Sequence, residues 1–149
     1  MAAMQLAVVP VTPFQQNCSV LWCERSRAAA IVDPGGELER VLAVVREQGL
    51  TPTKILLTHA HLDHCAAAAE LARRAQLPIE GPQRGDAFWI ESLAEQAAQF
   101  GFPPAAAFGP TRWLERGERG QVGEGELEVL HCPGHTPGHV VFFDRPGQL

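Results

Sequence analysis

The sequence predicts a mixed α/β layer protein. Three observations carry that expectation. β-branched and apolar runs gather at both ends of the chain, a helical period follows the third of them, and one short, wholly apolar run is followed by two helix-forming stretches.

The elements follow in order. MQLAVVPV (4–11) and CSVLWC (18–23) read as strands, separated by the turn-like TPFQQN. AAAIVD (28–33) is a third, stopped by PGG. Over 37–48, Leu38, Val41, Leu42 and Val45 recur on one face of a helix, and Gly49 ends it. KILLT (54–58) has the composition of a strand buried on both faces. Residues 65–76 are strong helix formers, stopped at Leu77-Pro78. Residues 86–101 form a further helix with Gly101 at its end. RWLERG (112–117) and 125–132 are expected strands around the turn-rich ERGQVGEG, and HVVFFD (139–144) is the last.

The chain has 149 residues and a net charge of -5, with no basic block. That argues against nucleic acid as a partner. No apolar run approaches the roughly 20 residues of a membrane-spanning helix. The start lacks a positively charged n-region, so a cytoplasmic location is expected. The four cysteines form no C-x-x-C pair and are expected to stay reduced and pack as small apolar groups.

All six histidines fall in two windows, THAHLDH and LHCPGHTPGHV. In extended backbone His59 and His61 point the same way. A helix starting near Asp63 turns the next side chains aside, so Asp63 and His64 aim at a neighbouring point. Two such points suit two metal ions. A catalytic zinc keeps three protein ligands and an open position. His135, framed by glycines and prolines, is the expected third ligand beside His59 and His61. Imidazoles packed so densely need a cation, or they leave polar groups unmet. His131 and His139 read as surface residues or as partners of the ligands. Asp33 in VDPGG is either a turn former or an orienter of a ligand histidine.

THAHLDH resembles the H-x-H-x-D-H signature of the metallo-β-lactamase superfamily, with VDPGG and CPGHTPGH in matching order. Together with PVTPFQQNCSVLWCE these motifs resemble the short glyoxalase II-like hydrolases, which lack the extra glutathione-binding domain. The resemblance covers about Met4 to Asp144. It implies an αββα sandwich of two related halves, of which this chain is expected to hold the N-terminal portion as a single, incomplete domain. It implies zinc held by His59, His61 and His135, with Asp63 and His64 at a second site and Asp63 also orienting the nucleophile. It implies hydrolysis of a small-molecule thioester such as S-lactoylglutathione by a zinc-bound hydroxide.

The family pattern continues with a bridging aspartate and a late histidine; nothing after His139 can play the latter part, and Asp144 lies too close to the final strand for the former. One firmly bound ion at most is therefore expected, and an uncovered sheet face is expected to favour association with a second copy. Two other readings stay open: an iron-dependent persulfide dioxygenase on the same fold, and an inactive metal-binding remnant. The region 82–109, with Phe88, Trp89, Phe100 and Phe102, is a candidate lid.

Overall fold

The structure is a computed structural model and describes residues 4–12 and 15–144. Two sheets face each other. The first has five strands in the order β1 (Met4–Val11), β2 (Gln16–Cys23), β3 (Ala28–Val32), β4 (Thr51–Leu56) and β5 (Ile79–Glu80). β1, β2 and β3 pair antiparallel, whereas β3–β4 and β4–β5 pair parallel. The second is an antiparallel sheet of β6 (Arg119–Val122), β7 (Gly125–His131) and β8 (Val140–Phe143).

Helices cover one face of the first sheet. α1 (Leu38–Glu47) buries Leu38, Val41 and Val45, three of the four residues its periodicity marks. α3 (Ala68–Ala75) buries Leu71, and α5 (Leu93–Phe100) buries Leu93 and Ala97 against the same cluster. Met4, Leu21, Cys23, Ala30 and Leu56 point the other way and meet Val122 and Leu127 of the second sheet. β4 begins at Thr51, earlier than the expected Lys54, and its first four residues are exposed or half-buried; the double burial that its composition predicts holds at its end, where Ile55, Leu56 and the following Leu57 are inaccessible. Helix layer, sheet and sheet are thus three of the four layers of an αββα sandwich. No described helix is long and apolar enough to cross a membrane.

Several elements differ from the sequence expectation. The helix expected over 65–76 begins earlier, as α2 (Leu62–Cys65), and breaks before α3. At the break the Ala67 N–H donates to Pro34 O, outside the helical ladder. The helix expected over 86–101 divides into α4 (Ala87–Glu91) and α5. There the Trp89 carbonyl accepts from the side chains of Gln96 (2.8 Å) and Ser92 (3.2 Å). That competition opens the ladder at Ser92.

The expected strand over 112–117 is absent; only Arg112 makes an isolated bridge, to Glu80. β6 forms instead within the turn-rich stretch. Gly120 and Val122 point inward there, and Gly123, at φ 58°, closes a tight turn into β7. β5 went unread because two residues hold no period. Of the four free cysteines, Cys18, Cys23 and Cys65 are buried, whereas Cys132 is exposed rather than packed.

Candidate metal centre

The site lies beyond the C-terminal ends of β3 and β4, where parallel α/β sheets place their functional loops. Asp33 ends β3 in the left-handed region at φ 55°. It is both turn former and orienter. Its Oδ1 accepts from the Thr58 N–H (2.8 Å), and its Oδ2 accepts from the Thr58 hydroxyl (2.6 Å) and from His64 Nδ1 (2.9 Å).

That network sets the protonation of His59. The Thr58 hydroxyl spends its proton on Asp33, so it accepts from His59 Nδ1, 3.0 Å away. The proton of His59 therefore sits on Nδ1, and Nε2 keeps a bare lone pair. That Nε2 is buried with no hydrogen-bond partner. Around the His59 ring stand the rings of His64, His139, His135 and His61, with centroids 4.0, 4.6, 4.8 and 5.1 Å from its own. Burial first, and then these neighbouring imidazoles, hold the His59 pKa down to about 2, so the ring is neutral.

His61 and His135 complete the group. His61 Nδ1 and His135 Nε2 are 3.1 Å apart. One ligand atom from each of His59, His61 and His135 lies within 4.8 Å of the others. A second trio with the same property is Asp33, His59 and His64. Asp63 belongs to neither trio; its Oδ2 stands 3.6 Å from His64 Nε2. Burial lowers the pKa of His61, with His135 adding to it against Asp63 and Asp86. For His64 burial also pulls downward. The hydrogen bond and charge of Asp33, with the charge of Asp63, outweigh it and raise the pKa.

The second histidine window is a tight turn between β7 and β8. The ring of His131 donates through Nε2 to Pro137 O (2.9 Å) and holds that turn, away from the trio. His139 packs beside His59 and His135, and burial lowers its pKa. Of the proposed lid, Trp89 stands edge-on to His61 at 5.1 Å. Phe88, beside Trp89, is exposed.

A cation fits this donor set. Neutral imidazoles are ligands for zinc and iron, and a buried lone pair without a donor is costly unless something fills its place. Sequence reasoning missed three residues around the site. Thr58 is a strand end with no motif of its own. Asp86 opens a helical stretch and reads as a cap, and Thr136 is masked by the turn composition around it.

The chain matches the model of the metallo-beta-lactamase superfamily over residues 11–149. It is 46% identical over 143 residues to hydroxyacylglutathione hydrolase GloC of Haemophilus influenzae, which covers 95% of this chain and 67% of that protein. It is 36% identical over 144 residues to an uncharacterized protein of Aquifex aeolicus, covering 95% and 66%. Among solved structures, TTHA1623 in a di-iron-bound form superposes with a TM-score of 0.82 at 37% identity, over 95% of this chain and 68% of that one. The chain thus spans about two thirds of the length of these two relatives. With the two facing sheets and the trio of His59, His61 and His135, these likenesses identify the chain as a member of the metallo-beta-lactamase superfamily.

Proposed function

We propose that this chain carries the metal centre of a metal-dependent thioester hydrolase, with S-lactoylglutathione as the representative substrate. The observation that carries the reading is the buried, unpartnered Nε2 of His59 facing His61 and His135. The likeness to a hydroxyacylglutathione hydrolase supports the substrate class. His59, His61 and His135 would hold one zinc ion, and His64 with Asp63 would serve a second position. A bound divalent cation supplies Lewis acidity to a carbonyl and makes water nucleophilic near neutral pH.

The chain's own residues prepare that chemistry. Asp33 holds His64 directly and His59 through Thr58, which engages Nδ1 of each ring and leaves each Nε2 turned away from that contact. Asp63, next to His64, is the proposed acceptor of the water proton at Oδ2. Trp89 covers one side of His61. Three buried free thiols agree with a reducing, cytoplasmic setting.

The test is hydrolysis of S-lactoylglutathione with added zinc, beside metal analysis. His59→Ala, His61→Ala and His135→Ala should each lose at least about 100-fold in rate. Hydrolysis that survives His59→Ala would overturn the reading. So would oxygen uptake with glutathione persulfide in place of thioester cleavage.

A further inference from the structure

Asp86 is fully buried, yet none of the roles above uses it. It sits where the short 3-10 turn 84–86 meets α4 and caps nothing there with its side chain. Its Oδ2 accepts from the Ala60 N–H (2.9 Å), the residue between His59 and His61. The same oxygen accepts from the Thr136 hydroxyl (2.7 Å), the residue after His135. Its Oδ1 accepts from the Gly138 N–H (2.7 Å), the residue before His139. One carboxyl group thus grips both histidine-bearing loops, which belong to different sheets.

We infer that Asp86 is a positioning residue that fixes the spacing of His59 and His61 relative to His135, so that the trio is organised before an ion binds. The inference rests on the metal-centre reading above. The two loops come from β4 and from the β7–β8 turn, and among the described residues one backbone bond also joins them, from Val140 N to Thr58 O (2.7 Å). Between the imidazoles themselves the one hydrogen-bond contact is His61 Nδ1 to His135 Nε2 (3.1 Å), and it leaves the placement of His59 against His135 unfixed. A buried acceptor bound by three donors fixes that placement, because each donor left unmet would be penalised. The packing leaves no slack. A Cβ on Gly138 would press on Asp86 N and on Gln83 O, while Gln83 N donates to Gly138 O (3.0 Å). The same segment sets Trp89 against His61.

The experiment measures cobalt(II) affinity by chelator competition, together with the visible cobalt spectrum, on the full chain. The variants are Asp86→Asn, Thr136→Val and Thr136→Ser, with His59→Ala as the control. Asp86→Asn keeps the shape but turns an amide toward at least one donor. Affinity is expected to fall about 10- to 100-fold in Asp86→Asn and about 10-fold in Thr136→Val, with an altered cobalt spectrum. Thr136→Ser, which keeps the hydroxyl, is expected to restore both. Should Asp86→Asn not fold, the Val–Ser pair at Thr136 decides alone. Wild-type binding that His59→Ala leaves intact, or no binding at all, overturns the metal centre and this inference with it. Wild-type binding that needs His59 but is unchanged by Asp86→Asn and Thr136→Val overturns the positioning role alone. Loss in Thr136→Val that serine fails to restore does the same.

Discussion

In the proposed centre His59 offers one nitrogen to an ion, and Thr58 decides which nitrogen that is. Removing the Thr58 hydroxyl breaks the link from Asp33 and lets the His59 proton move to Nε2. Thr58→Val is therefore expected to fold normally and to bind zinc about 10-fold or more weakly. Unchanged affinity by chelator competition would contradict the relay. The imidazoles also tie stability to pH. His59, His61 and His139 have folded pKa values below the ordinary 6.5, so on acidification the unfolded chain takes up protons first. Their effect is nil above about 6.5 and costs stability progressively below it. His64 runs the other way: its raised pKa adds stability at low pH that is lost as pH rises through the folded value. Three groups act against one. The urea midpoint of the metal-free protein should fall between about pH 7.5 and about pH 5.5. An equal or higher midpoint at the lower pH would show the opposite balance.

At the scale of elements, the centre depends on how closely the loop after β3 meets α2. Gly35 makes that approach possible, since a Cβ there would run into the carbonyl of Asp63 and crowd Gln16. Gln16 in turn donates through Nε2 to Asp33 O at 2.8 Å. Gly35→Ala must push α2 away from Asp33, and so strain the His64 contact. We expect a loss of about 1–3 kcal/mol in stability, measured by urea unfolding, with weakened metal binding. Full stability and affinity would show that the loop yields without consequence. The same scale explains the broken helices. Ala67 gives its N–H to Pro34 and Trp89 gives its carbonyl to Gln96, and neither exchange has a local periodicity to announce it.

At the scale of the molecule, the second sheet is the less covered of the two. Gly125, Leu127 and Val129 of β7 face inward, whereas Leu130 on the opposite face is 37% exposed. Val141 pairs with Leu130 across β8, so the two share that face. Among the described residues β8 has β7 as its one strand partner. That face also carries Glu126 and Glu128, so its apolar part is the Leu130–Val141 pair; beside the outer strand of the described sheet such a pair favours contact between chains. Sedimentation should show a mass above the 16.1 kDa of one chain that rises with concentration. Leu130→Lys with Val141→Lys should return it to the monomer. A wild-type chain that stays monomeric at high concentration would refute association through this face.

The amino-acid order by itself determined the elements whose signal is local. The α1 stripe, the doubly buried end of β4 and the strands 4–11 and 28–32 are set by periodicity and composition, because side chains repeat along a helix or strand whatever surrounds it. It also marked the two histidine windows, since dense imidazole in a turn-framed loop has few other uses. Only the tertiary structure decided which groups meet. Asp33 serves His59 and His64 together because β3 lies beside β4. Asp86 reaches both loops because the start of α4 passes between the two sheets' ends. A carboxylate's partner is fixed by what the fold brings within about 3 Å, and sequence spacing holds no record of that distance.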